Sequence, residues 1–293
     1  VAIAHNGNLT NAMMLRDEYE AYGHIFRGTS DSEIIIHLLA KPSHIARKDT
    51  VAHVMEHLEG AFCVVMLWPD RIEAARDALG IRPLCIGKLP DGSYMVASET
   101  CALDILDAAF VREVEPGEII TLNKDGLHSR FFVKPGTQKP AHCIFEQVYF
   151  SDPSSDIFGE NVHRVRMEMG RQLAREAPVE ADAVIPVPNC ARCAAGGYAE
   201  ESGIPYERGF TVSHYAGRSF IEPEQPMRDL AVRMKLNVIR EVVDGKRLAV
   251  IEDSVVRGTT TRGKIGALRR AGAKEIHLRV ASPPIRFPCF YGI

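Results

Sequence analysis

No stretch of this chain is long and apolar enough to suggest a membrane span. The longest uninterrupted apolar run, Ala61 to Trp68, falls far short of the about 20 residues that a spanning helix needs. An excess of charge of either sign is also missing. Against 38 Asp and Glu stand 35 Lys and Arg, a formal net charge of −3, which argues against a nucleic acid or a membrane surface as partner. Cysteine is sparse, with seven scattered residues, and an odd, unpatterned set does not read as a secreted disulfide framework. Internal repeats, low-complexity tracts and a signal-peptide pattern are not evident. A cytoplasmic protein is the expectation.

What is there is enough for two domains. At 293 residues, 46% of them hydrophobic, the chain can bury two cores. Residues 1–135 carry short β-rich pieces at Val1–His5, Gly60–Trp68, Ile72–Asp77 and Tyr94–Ser98. Helical periodicity lies between them at Asn11–Tyr22, Ser32–Ala40 and Thr50–Leu58, and Trp68-Pro69-Asp70-Arg71 reads as a hairpin turn. The Pro, Gly and Lys of Lys134 to Pro140 mark a linker. From 136 to 293 strands alternate with helices: Ala183–Val187, a helix to Ser202, Tyr206–Arg208, a helix near Asp229–Val242, Arg247–Glu252, a helix from Gly263, and Ile276–Ala281. That alternation predicts a doubly wound parallel sheet, with ligands at the C-terminal ends of its strands.

The strongest chemical signal is the segment from Leu248 to Thr260. An apolar β-branched run ends in Glu252 and Asp253 and is followed by Ser254, Val255, Val256, Arg257, Gly258, Thr259 and Thr260, then by a helical pattern. A strand that delivers such a loop to a helix N-terminus presents free N–H groups and the positive end of the helix dipole to a phosphate. Two carboxylates before the loop would repel a bare phosphate. They belong there if they hold sugar hydroxyls, or a Mg²⁺ shared with a polyphosphate. The plainer alternative is a strand–turn–helix with two surface acids. In the first region, His5-Asn6-Gly7-Asn8 places an amide and an unobstructed backbone N–H together, as an oxyanion hole requires. Asn-Gly is also a common turn, and Ser30 or Asp31 before a helix is also a common N-cap.

With Arg76-Asp77-Ala78-Leu79-Gly80-Ile81-Arg82-Pro83-Leu84, Ser98-Glu99-Thr100, Glu115-Pro116-Gly117-Glu118, Gly197 to Phe210 and His214 to Ile221 in the same order, the whole chain resembles the glutamine phosphoribosylpyrophosphate amidotransferases. The resemblance implies a mixed α/β and α+β fold. A partial N-terminal nucleophile hydrolase domain of αββα type (1–135) would precede a phosphoribosyltransferase-type parallel-sheet domain (136–293). It also implies a two-step reaction: ammonia released from glutamine displaces pyrophosphate from C1 of phosphoribosyl pyrophosphate (PRPP), giving phosphoribosylamine for purine synthesis. By the same match Asn6 and Gly7 form the oxyanion hole and Asp31 receives the glutamine α-amino group. Glu252 and Asp253 bind ribose and Mg²⁺, Ser254 to Thr260 cradle the 5′-phosphate, and Tyr215, Gly217 and Arg218 fall in a loop closing over PRPP. A homo-oligomer is implied as well.

Several features depart from the family. Its nucleophilic N-terminal cysteine and its glutamine-binding arginine have no counterpart at or after Val1, and family chains run on past Ile293. A fragment cut at both ends is therefore expected, one without glutaminase activity of its own. Where the family has Pro-Asp-Ser-Gly, this chain has Pro188-Asn189-Cys190-Ala191. Cys190 then stands at an expected Mg²⁺ position, where a thiol is a poor ligand. The flexible loop's usual Lys and Asn are replaced by Val212 and Ser213. Cys143 and Cys289 match two of the four thiolates that hold a [4Fe–4S] cluster in some family members, and the resemblance implies one site for both in the second domain; the alternative is a pair of buried thiols. Cys190-Ala191-Arg192-Cys193 has metal-site spacing but no partner pair, and Cys63, Cys85 and Cys101 read as packing residues. Two rival functions remain: a PRPP-binding regulatory protein without chemistry, and an ammonia-dependent phosphoribosyltransferase.

Overall fold

The computed structural model describes residues 1–212, 236–256 and 258–292. Contacts divide them into two compact units, Val1–Glu146 with Ser154–Glu160 and Ile285 onward, and Gln147–Pro153 with Asn161–Pro284. The first unit reaches past residue 135 because the Ala141 and Cys143 amides donate to the Leu79 and Ile81 carbonyls.

In the first unit, β1 (Ala2–Leu9) leads into α1 (Ala12–Ala21), α2 (Ser32–Ala40), α3 (Pro42–Ile45) and α4 (Thr50–Glu56). The strands β2 (Gly60–Leu67), β3 (Ile72–Arg76), β4 (Cys85–Lys88) and β5 (Tyr94–Ala97) follow, then α5 (Cys101–Asp104), β6 (Ala109–Glu113), β7 (Glu118–Asn123) and β8 (Gly126–Phe131). One antiparallel sheet has the order β1-β2-β3-β7-β8, and a second the order β5-β4-β6. Alternation along β2 decides what each sheet face meets. Phe62, Val64 and Met66 join Ile34, Ile35, Leu38, Val54 and Met55 of α2 and α4 in one core. Cys63 points the other way, to Ala74, Leu84 and Ile86.

The short strands β9 (Asp156–Ile157) and β10 (Glu160–Asn161) precede the second unit's helix α6 (Val162–Glu176). There follow β11 (Ala183–Pro186), α7 (Arg192–Ser202), β12 (Phe210–Val212), β13 (Leu236–Val238), α8 (Arg240–Val243), β14 (Arg247–Glu252), α9 (Thr259–Arg270) and β15 (Glu275–Val280). β11, β14 and β15 form a parallel sheet in that order. Its two faces are both buried, as the near-continuous apolar runs require. Ala183, Ile185, Leu248 and Val250 pack with Leu268 and Ala271 of the α9 end, while Val184, Ala249 and Ile251 pack with Ala194, Ala195 and Tyr198 of α7. Helices α6 and α7 approach so closely that a Cβ on Gly170 would stand 1.9 Å from the Ala194 carbonyl oxygen, and one on Gly197 1.9 Å from that of Met167.

Three expectations are corrected. The helix foreseen near Asp229–Val242 is, where described, the strand Leu236–Val238, paired antiparallel with β12, and a single turn at Arg240–Val243. Tyr206 makes only an isolated parallel bridge to Val184 rather than a strand over 206–208. The last helix begins at Thr259 instead of Gly263, because Gly258 adopts a left-handed φ of +73° and turns the chain into the helix. No helix among the described residues is long and apolar enough to cross a membrane.

Candidate functional site

In the first unit the Asn6-Gly7 pair is not a turn. Both residues lie inside β1, opposite Cys63 and Phe62 of β2. The glycine is needed for close approach: Gly7 has φ +150°, and a Cβ there would sit 1.9 Å from the Ala61 carbonyl oxygen. Asp31 does not cap α2 with its side chain. Its Oδ2 instead accepts the Leu9 amide at 3.0 Å, and its Oδ1 lies 3.6 Å from His5 Nδ1. His5 Nδ1 is also 2.9 Å from the Ser32 hydroxyl, so β1 and the start of α2 meet through a His–Ser–Asp contact. Burial lowers the His5 pKa, only partly offset by Asp31. That favours a neutral imidazole beside the carboxylate. The loop entering α2 is shaped by Glu33, whose carboxylate accepts the Arg27 and Gly28 amides at 2.8 and 3.0 Å.

The thiol facing Asn6 across the ladder, Cys63, is not a candidate nucleophile: burial pushes its pKa far up. Cys85 is raised for the same reason. Both are packing residues, as their apolar surroundings suggest. The motif from Arg76 to Leu84 is structural too. The fully buried Arg76 guanidinium donates to the carbonyls of Arg82, Gly80 and Val114 at 2.8, 3.0 and 2.6 Å. Asp77 accepts the amides of Leu79, Ile81 and Phe62.

In the second unit the expected strand–loop–helix is present. β14 ends at Glu252, Asp253 to Val256 follow as loop, and α9 starts at Thr259 after Gly258. Glu252 and Asp253 are both buried, at 3% and 8% exposure. They are therefore not the surface acids of the plainer alternative. Lys264 Nζ reaches Glu252 Oε2 at 3.4 Å, Thr261 Oγ1 donates to the same oxygen at 3.3 Å, and Ser254 Oγ donates to Asp253 Oδ2 at 3.0 Å. Desolvation, with the Asp253 charge adding to it and Lys264 opposing it, pushes the Glu252 carboxyl up to about 7. Val255 and Val256 are exposed at the loop tip. Tyr215, Arg218 and Arg257 lie outside the described residues, as do the side chains of Thr259 and Thr260.

Cys190 stands in the loop after β11, following a cis Pro188–Asn189 peptide. Burial raises its pKa, and the charges of Asp253 and Glu252 raise it further. A thiol kept protonated does not suit a hard cation. The two carboxylates do, and their buried negative charge is what a bound divalent ion would relieve. Sequence reading passed over Lys264 and Tyr149. Lys264 is the counter-charge of Glu252, and the Tyr149 phenol is raised by burial and by Cys190, Asp253 and Glu252. Only a lysine one turn into the helix after the acids hinted at the first.

Cys143 and Cys289 both belong to the first unit rather than the second. The Cys143 amide donates to the Ile81 carbonyl, and the tail carrying Cys289 is held where Asn8 Nδ2 donates to the Phe290 carbonyl. Arg82 pairs with Glu146 at 2.8 Å and reaches the Tyr291 carbonyl at 3.5 Å. One guanidinium thus ties together the segments on which the two thiols stand. They supply soft donors of the type a [4Fe–4S] cluster takes, and half the number.

A family model described as a glutamine amidotransferase domain matches residues 1–105. Over its full length the chain is 46% identical to the amidophosphoribosyltransferase of Bacillus subtilis, covering 61% of it. It is 45% identical to the chloroplastic amidophosphoribosyltransferase 1 of Arabidopsis thaliana, covering 51%, and 47% identical to the Mycobacterium tuberculosis enzyme, covering 56%. The chain thus spans between about half and three fifths of these relatives. A solved structure of the B. subtilis glutamine PRPP amidotransferase, complexed with ADP and GMP, superimposes with a TM-score of 0.90 at 46% identity, over the whole of this chain and 64% of that one.

Proposed function

Because the chain is 45–47% identical along its whole length to amidophosphoribosyltransferases, we infer that the intact protein moves the amide nitrogen of glutamine onto C1 of PRPP, opening purine synthesis. The observation that carries this reading is the buried Glu252–Asp253 pair at the end of β14, followed directly by a loop into the N-terminus of α9. In this reading Glu252 and Asp253 hold the ribose hydroxyls and a Mg²⁺ that neutralises pyrophosphate, and residues 254–260 take the 5′-phosphate at the helix N-terminus. Ammonia attacks C1 as the bond from C1 to the pyrophosphate oxygen breaks. Lys264 holds Glu252 in place and limits its protonation.

In the first unit Asn6 and Gly7 stabilise the oxyanion formed at the glutamine amide, while Asp31, fixed by the Leu9 amide, receives the α-ammonium group. The attacking thiol and its base would be those of an N-terminal cysteine. Both buried carboxylates speak against a purely structural second unit. The Cys190 substitution favours a second reading, a protein that binds PRPP without transferring nitrogen.

Calorimetry with Mg²⁺ and PRPP tests the proposal. The 293-residue chain should bind PRPP, and Asp253→Asn should weaken binding at least tenfold, since a hydrogen bond to a charged group contributes about 1.5–3 kcal/mol. The same chain should release no ammonia from glutamine. Absence of PRPP binding overturns the assignment. Binding without phosphoribosylamine formation from added ammonium selects the second reading.

A further inference from the structure

We propose that His44, His53 and His57 form a three-imidazole site for one transition-metal ion of the zinc class, independent of the amidotransferase reading. One nitrogen from each ring can be chosen so that all three lie within 4.8 Å of one another. His44 is on α3, His53 on α4, and His57 caps the C-terminus of α4. The spacing of four residues between His53 and His57 puts both on one helix face.

Two of the rings are fixed by backbone carbonyls. His44 Nδ1 is 3.0 Å from the Leu38 carbonyl oxygen, and His57 Nδ1 is 2.7 Å from that of His53. A carbonyl oxygen only accepts, so both Nδ1 atoms carry the proton and each Nε2 keeps a lone pair. A backbone carbonyl on the outer nitrogen is the usual partner of a metal-bound histidine, fixing tautomer and ring direction. His53 has Glu56 Oε2 at 3.9 Å from its Nδ1, beyond hydrogen-bond reach.

The scaffold beneath is braced. Thr50 Oγ1 donates to the His44 carbonyl, while Asp49 caps α4 by accepting the Ala52 amide and binds Arg130 at 2.6 Å. His44 is buried, His53 half-buried and His57 exposed, leaving an open side for entry and for a water as fourth ligand. The charged neighbours are Lys41, Arg47 and Glu56. They offer one carboxylate, so selectivity rests on imidazole, which suits zinc, copper and nickel rather than Mg²⁺. Tetrahedral zinc with nitrogens at about 2.0–2.1 Å wants them roughly 3.3 Å apart. A bound ion would draw the three nitrogens together and staple α3 to α4.

The test is titration of the apo chain with Zn²⁺ and, in parallel, Co²⁺. One equivalent of Zn²⁺ should bind and raise the melting temperature. His57→Ala, at an exposed position, should raise Kd at least tenfold, and His53→Ala/His57→Ala should remove the site with the circular dichroism unchanged. Bound Co²⁺ should show tetrahedral d–d bands without sulfur-to-metal charge transfer. The latter would mark the rival pair Cys193 and His163, whose Sγ and Nδ1 lie 3.3 Å apart. A thiolate band, undiminished zinc binding in the double variant, or no binding at all overturns the proposal.

Discussion

Glu252 shows how a single residue can be costly to the fold and useful to the site. It is 3% exposed, and its carboxyl is pushed up to about 7, first by desolvation and then by Asp253. A carboxyl whose pKa is higher folded than unfolded binds its proton more tightly in the native state. Its contribution is therefore fully present below the unfolded pKa, about 4.3, and is lost as pH rises through the folded value. Glu252→Gln removes that titration. The variant should melt above the parent chain at pH 8, the advantage growing between about pH 4.3 and 7 and vanishing at pH 4. Thermal melts across that range check it. An ordering reversed at pH 8 would mean that the 3.4 Å pair with Lys264 outweighs desolvation. The same variant should bind Mg²⁺–PRPP more weakly, the exchange of stability for function expected at a binding site.

Among the elements, the run from Arg76 to Leu84 carries architecture rather than chemistry. Arg76→Met keeps the bulk but removes the guanidinium that donates to three buried carbonyls, those of Gly80, Arg82 and Val114. The loss should be about 3–5 kcal/mol, the scale for breaking a buried charged network. Urea denaturation followed through Trp68, the only tryptophan and a resident of the turn between β2 and β3, reads it directly; a loss below about 1 kcal/mol would mean that water replaces the guanidinium. Elements whose apolar spacing is clean, α1, α2, α4, β2 and β14, were legible in the sequence to within a few residues. Those fixed by partners were not. Asn6-Gly7 carries the same letters as a turn, and only the Ala61 carbonyl pressing on Gly7 shows that it belongs in a strand. Leu236–Val238 reads as helix until its pairing with Phe210–Val212 is known. Helix α6 is hard to read because its buried ridge, Val162, Arg166, Gly170 and Ala174, is mostly charged or small. At the site, the acids and the loop were readable as a chemical sequence, whereas the Lys264 counter-charge and the Asp31 contact to β1 depend on tertiary proximity.

At the scale of the whole molecule, Cys143 and Cys289 matter because residues 161–284 separate the tail of the first unit from its body. That unit is closed by bringing residues from 285 onward back to Asn8 and Arg82. A long return of this kind costs loop-closure entropy that the few hydrogen bonds of an exposed tail offset poorly, and Phe287 and Phe290 stay exposed there. A [4Fe–4S] cluster bridging Cys143 and Cys289 would supply the missing anchor, provided two further thiolates complete it. The 293-residue chain should accordingly purify colourless and fail to hold stoichiometric iron and sulfide after anaerobic reconstitution. A protein of the relatives' full length should be brown, and Cys289→Ser in it should lower both iron content and melting temperature, because a lost ligand removes metal-linked folding energy. Iron and sulfide analysis alongside visible spectra decides between the two states. Full-length protein that is iron-free after anaerobic purification would return both cysteines to ordinary thiols, with the tail held through contacts such as those of Asn8 and Arg82.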